Sequence, residues 1–403
     1  MKKFILFAMA TAFFISFEYA ATRPSSSAIF LTTFSSESIP WVWLVSVPCN
    51  FACVFFYNRF LAKLGPLRMF AAVASIICAV HLFSALALPY APWFIFFQFL
   101  WKDIYILLVY KQFWSMIHTT VSSDRAKFLY GLFMGVGTCG AIVGSLLPSF
   151  FAVEVGSATI FLSTLPVYFL LFFLYRSAFT SSALQRTEVK SDLSVEKSTV
   201  ALIRSSPLLL VALSVVAFMQ VSIGIMDYLF NVSLEQNISN LDLRTAYVGK
   251  ITGLTNLVAG IFQFLGGFLM VHFLGVRGGH LFVPLFLLGN ACLAFFLPSF
   301  AMLSFSYILI KSVDFSLFGI VREMLYIPMK VEEKFRAKAF IDVFVWRSIK
   351  ALIGLCILFL QFFLSDWLLP SLHYLAFLLF FLWITAVYFL LWKRNPLATI
   401  RSS

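Results

Sequence analysis

Between Ile310 and Cys356 the chain places charges where they are hardest to keep. Lys311 and Asp314 stand inside one apolar stretch, followed by Arg322 and Glu323; after a charged loop, Asp342, Arg347 and Lys350 lie in another. Counted from about residue 338 at 1.5 Å per residue, Arg347 and Lys350 lie roughly 14–18 Å into a layer about 30 Å thick. Isolated Arg, Lys or Asp residues at that depth cost about 2.5–3.5 kcal/mol each, so they must face a protein interior or a watery cavity. Cations held there can bind anions: a guanidinium offers phosphate or carboxylate a bidentate fork, and an ammonium offers a point charge. Lys311 and Arg322 are almost three helical turns apart and are expected to form one column. Arg347 and Lys350, three apart, share a face by the same geometry.

The first part of the chain carries a similar set. Glu18 and Arg23 fall in the middle of an apolar run ahead of Pro24-Ser-Ser-Ser27, a helix-weakening stretch. They suit either a cavity wall or a structural ion pair. Further on, Lys102, Asp103 and Lys111 cannot share one narrow helical face. Either protein surrounds that helix or Lys102 snorkels outward; Lys102 lies nearer the outer half than Lys111, so Lys111 is the stronger binding candidate. Asp227 and Lys250 are further intramembrane charges. Summed along the chain, Arg23, Lys102, Lys111, Lys250, Lys311, Arg322, Arg347 and Lys350 oppose Glu18, Asp103, Asp227, Asp314, Glu323 and Asp342, so the set leans positive. Substrate binding is assigned to Arg23, Lys111, Lys250, Lys311, Arg322, Glu323, Arg347 and Lys350. Coupling or gating is assigned to Glu18, Asp103, Asp227, Asp314 and Asp342.

The elements that must position these groups are membrane helices. Hydrophobic residues make up 62% of the chain and charged residues 11%, far below the roughly 25% of a soluble protein. Twelve apolar spans are read at 4–34, 41–58, 69–88, 92–114, 128–151, 158–178, 208–230, 246–272, 280–298, 300–329, 338–364 and 371–392. The net charge of +12 could suggest a nucleic-acid partner. However, with both termini cytoplasmic, nearly every loop Lys or Arg falls on one side and only Arg244 on the other, so the charge reports topology and excludes nucleic acid. Lys2-Lys3 and the run after them are read as a retained first helix.

A polar stretch at 179–206 divides six spans from six. Asp103, Lys111, Gln112, Arg125, Ala126, Lys127 and Ile142 match Asp314, Arg322, Glu323, Arg336, Ala337, Lys338 and Ile353 at a constant offset of 211 residues; Glu18-Tyr19 and Asp227-Tyr228 lie near the same offset. The expected fold is therefore an all-α membrane protein of two six-helix pseudo-repeats, major facilitator-like. Its halves span 1–178 and 207–395, with a cytoplasmic linker at 179–206 and a cytoplasmic tail at 396–403.

Enzyme chemistry finds little support. Five scattered histidines (81, 118, 272, 280, 373) form no active-site constellation, and the six cysteines lie within apolar spans. Gly135-Val-Gly137-Thr-Cys-Gly140 has no strand before it and is no dinucleotide fingerprint. Gly131/Gly135, Gly140/Gly144 and Gly249/Gly253 are instead small-residue pairs that allow close helix approach.

Arg322-Glu-Met-Leu-Tyr-Ile-Pro-Met329, then Glu332, Lys334, Arg336, Lys338-Ala-Phe-Ile-Asp-Val343, Arg347 and Lys350, closely resembles the matching stretch of the ATP/ADP translocases of obligate intracellular bacteria and plastids. Phe113-Trp114 with Ala126-Lys127-Phe-Leu-Tyr130 and Leu132-Phe133 is similar to its first-half counterpart. The resemblance implies a nucleotide antiporter of a bacterial inner membrane, working by alternating access and gripping phosphates with cations; it supports Arg322, Glu323, Arg347 and Lys350 most directly. In span one, where the family typically has a Lys-Asp pair, this chain has Ser26 and Ser27, which points toward a divergent relative carrying another organic anion. The expected partners are the lipid bilayer and a small anionic substrate, with no cofactor and a monomeric state. A non-transporting receptor and a membrane-embedded enzyme are the rival classes.

Overall fold

A computed structural model of the chain describes residues 2–87, 90–121, 123–182, 207–326, 341 and 345–393. All regular structure among these residues is helical: α1 Lys2–Phe34, α2 Ile39–Ala87, α3 Trp93–Thr120, α4 Ser123–Val155, α5 Ser157–Thr180, α6 Pro207–Asn237, α7 Leu241–Ile261, α8 Gly267–Phe273, α9 Gly275–Phe296, α10 Phe300–Val313, α11 Gly319–Tyr326, α12 Trp346–Phe363 and α13 Leu368–Tyr388, with short 3₁₀ and π turns between some of them. In hydrocarbon every backbone N–H and C=O must be satisfied internally, and a helix does this within its own segment. Among the described residues, ten helical stretches are long and apolar enough to cross a membrane, and the protein is a multi-pass membrane protein. The sequence expectation of twelve differs in part because Ser36–Leu86 runs as one continuous stretch. Gly65, with φ 75° and ψ 166°, marks a sharp kink within it. Asp342, most of the 179–206 linker and the 396–403 tail lie outside the described residues.

The described residues fall into two compact units. One is drawn from Met1–Ser36, Pro48–Ser191 and Glu235–Leu257, the other from Glu37–Val47, Asp192–Leu234 and Val258–Ser403. In the first, α1 packs against α3, α4 and α5. It runs unbroken through Pro24 to Phe34, so the run after Pro24 does not interrupt it, and Ser25 and Ser26 are fully buried. A Cβ at Gly140 or Gly144 would meet the backbone of Phe13 or Phe17, so glycine permits this approach of α4 to α1. Gly131, by contrast, faces open space. The segment from Glu235 is tied into this unit by polar groups. Buried Arg244 donates to Thr32 Oγ1 at 3.0 Å and to the Ile238 carbonyl at 2.9 Å, while the Ser157 hydroxyl donates to Asp242 at 2.6 Å. In the second unit, α6, α9, α10, α11 and α13 enclose an apolar core that includes Val216, Met219, Leu287, Val313, Phe318, Leu325 and Trp383.

Candidate functional site

In the first unit, α1 brings Glu18 into a sealed polar pocket. Its carboxylate is 2% exposed and accepts hydrogen bonds from Tyr105 on α3 at 3.2 and 3.3 Å and from Thr22 at 3.3 Å. His81 Nδ1, from α2, lies 3.7 Å away. Tyr168 of α5 completes the surround and packs edge-on against the His81 ring. One turn of α1 further on, the Arg23 guanidinium lies 5.9 Å from the Tyr19 ring centre. The Tyr19 hydroxyl donates to Asp103 at 3.4 Å, and Asp103 pairs with Lys102 at 3.5 Å. Lys102 is buried, donates to the Phe99 carbonyl and lies 3.5 Å over the Phe99 ring; protein surrounds it and it does not snorkel outward. Lys111 is the exposed cation of α3 and donates to Asn58 Oδ1 at 2.7 Å. Lys250, on α7, is exposed.

The second unit gathers five of the predicted charges. Lys311 on α10 grips both oxygens of Asp227 on α6, at 2.8 and 2.9 Å, with both side chains largely buried. Lys311 also lies 5.6 Å from the ring centre of Tyr307, which stacks on Phe230. Half-buried Asp314 has Lys311, Arg322 and Asp227 as charged neighbours. Arg322 lies 3.8 Å from Glu323 and 6.0 Å from the Phe318 ring centre.

A π turn at Asp314–Phe318 separates Lys311 from Arg322. A continuous α-helical count over those eleven residues therefore does not hold, and the two cations flank one carboxylate where an uninterrupted column was expected. On α12, Arg347 and Lys350 are both half-buried, and Lys350 lies 5.5 Å from the ring centre of Trp43.

Sequence reasoning missed the uncharged members of these clusters. His81 and Tyr105 were visible only as polar residues in the middle of apolar runs, and Thr22, Tyr168 and Tyr307 carried no signal without their neighbours. The Asp227–Lys311 pair was likewise hidden, because its members stand 84 positions apart.

The helical fold is similar to that of solved transporter structures. Solved structures share the fold over nearly the whole chain. A variant of the nucleoside transporter NupG has a TM-score of 0.70 at 12% identity, covering 95% of this chain and 99% of that one. The POT family transporter PepTSo has a TM-score of 0.67 at 9% identity, covering 100% and 99%. At the level of sequence, residues 152–393 match the TLC ATP/ADP transporter family. The ADP,ATP carrier protein 1 of Chlamydia trachomatis and that of Chlamydia muridarum are each 25% identical, covering 82% of this chain and 77% of the carrier. The chain belongs to the TLC ATP/ADP transporter family.

Proposed function

We propose that this protein is a secondary active antiporter that exchanges one nucleotide of the ATP/ADP type for another by alternating access. The observation that carries the reading is the family match over 152–393, which runs through Asp227, Lys311, Arg322 and Lys350. In this reading Arg322 and Arg347 present forks to phosphate, while Arg23, Lys111, Lys250, Lys311 and Lys350 add positive charge and Glu323 orients Arg322. Glu18, Asp103, Asp227, Asp314 and Asp342 respond to loading. The chemistry is movement and not turnover, so no catalytic residue is assigned.

The same proposal takes the chain as two six-helix halves, 1–178 and 207–395, both termini cytoplasmic, in a bacterial inner membrane. At about 1.5 Å per residue, Ser36–Leu86 is far longer than the roughly 30 Å apolar core, so it makes two crossings about Gly65. With α12 as a further crossing, the ten stretches become twelve.

A second reading is favoured by Ser26. Where translocases of this family typically place a cation in span one, this chain has a fully buried serine that donates to Gln98 at 2.8 Å. One cation fewer suits an organic anion of lower charge.

The test is uptake of labelled ATP into proteoliposomes with and without internal ADP. Trans-stimulated uptake is expected. Trans-stimulation by some other organic anion, with nucleotides inert, would move the assignment to the second reading. Saturable binding without uptake would make the protein a receptor, and product formation would make it an enzyme.

A further inference from the structure

The two repeats treat their first-helix acid differently. In the second unit Asp227 is held at 2.8 Å by the ammonium of Lys311. In the first unit Glu18 faces an imidazole, His81 Nδ1 at 3.7 Å, which can carry a proton or give it up. A 209-residue offset separates Glu18 from Asp227 and also His81 from Asn290, so the position matching His81 in the second half holds an amide that does not titrate.

The pocket is closed. Glu18 is 2% exposed and His81 0%. Neither ring nitrogen of His81 has a hydrogen-bond partner among the described residues, which is uncommon for a buried polar group. The groups that face Glu18 come from every side. α2 supplies His81 and Cys78, α3 supplies Tyr105, α5 supplies Tyr168, and α1 itself supplies Thr22. α4 contributes Gly140 and Gly144 against α1, which leaves that side without a charge at the point of contact. With one proton on the Glu18–His81 pair the charges sum to zero, as a carboxylic acid beside neutral imidazole or as a carboxylate beside imidazolium. With none they sum to −1 in a sealed site, an arrangement that buried acids in membranes escape by pairing or by exchanging a proton.

We propose that Glu18 and His81 form a proton-binding site that takes up one proton when the pocket seals and releases it to water when the pocket opens, so that transport responds to a pH difference across the membrane. The proton resides on a Glu18 carboxylate oxygen or on His81 Nδ1; the gap between them is about 0.5–1 Å longer than a hydrogen bond, a distance a side-chain rotation closes. The Tyr105 and Thr22 hydroxyls, which donate to the carboxylate, hold it toward the imidazole. The proposal rests on the transport reading above and adds an ion to it.

The test uses the full chain, purified, in three measurements. Counter-exchange of labelled ATP against internal ADP at equal pH reports the nucleotide reading alone. Uptake of labelled ATP against internal ADP with the lumen made alkaline reports the coupling: wild type should accelerate several-fold over the rate at equal pH, Glu18→Gln should lose the response, His81→Gln should shift its pH profile, and Glu18→Asp should recover part of it. Infrared titration of the protein in detergent between roughly pH 5 and 8 should show a carboxylic-acid band that changes with pH in wild type and is missing in Glu18→Gln. Brisk exchange in wild type with no gradient response overturns the proton site and leaves the antiporter standing. Failure of exchange overturns the antiporter, and the infrared titration then decides the proton site: a wild-type spectrum without a pH-dependent band attributable to Glu18 removes it.

Discussion

At the residue scale, the Asp227–Lys311 pair makes the sharpest prediction, because both partners are buried and in contact. Removing one leaves the other as an uncompensated ion, which costs roughly 3–5 kcal/mol, whereas removing both together can be nearly neutral. Asp227→Asn and Lys311→Met should each lower the melting temperature of the purified protein, and the double variant should regain most of the loss. Additive losses in a double-mutant cycle would mean that the two side chains do not support one another. Arg322 has a different profile. It is half-buried, lies 3.8 Å from a more exposed Glu323 and has Asp314 as a charged neighbour. Arg322→Ala and Arg347→Ala should abolish uptake at normal membrane abundance; wild-type uptake by both would remove them from the site.

At the scale of the element, two devices matter. The first is the approach of α4 to α1. A side chain at Gly144 has the backbone of Phe17 in its way, and backbone cannot swing aside as a flexible side chain can. Gly144→Val should destabilise by about 1–3 kcal/mol or more, read as a lower melting temperature and reduced abundance. Gly131→Ala, with open space around it, should be neutral or stabilising by up to about 1 kcal/mol from improved helix propensity. The second device is the π turn Asp314–Phe318. Such turns lie within α-helices and are frequent at functional sites. Deleting Phe315, an exposed residue of the turn, should remove the π turn and restore a continuous α-helix whose flanks keep their facing, because the turn absorbs one extra residue. The expected result is a folded, membrane-inserted protein without uptake. Retained uptake would show that the turn is incidental.

At the scale of the molecule, the distribution of basic residues predicts sidedness. In a background lacking the six native cysteines, Lys63→Cys should react with a membrane-impermeant maleimide only from the cytoplasmic side, and Ser239→Cys only from the opposite side. Labelling of both from one side would invalidate the twelve-crossing topology and the placement of the termini. The two units also draw on both sequence halves: Glu235–Leu257 joins the first unit through Arg244 and Asp242, and Glu37–Val47 joins the second, where Trp43 lies beside Lys350. Arg244, which the charge count left as the lone basic residue of its side, is a structural clamp on Thr32 and the Ile238 carbonyl.

Composition and periodicity were enough to establish a helical membrane protein, because apolar runs of about 20 residues have few other stable forms in lipid. The cost of burying charge was enough to single out Glu18, Asp227, Lys311, Asp314 and Arg322. The family resemblance on Arg322 to Lys350 was legible for the same local reason, since the motif is continuous in sequence. What only the tertiary structure decided is which charge meets which group. Glu18 finds His81 and Tyr105 on two other helices, Asp227 finds Lys311 across 84 positions, and a π turn interrupts the register that spacing alone implied. Spacing along one helix determines which way a side chain faces, but the identity of its partner depends on where a second helix crosses, and that is settled by packing far away in sequence.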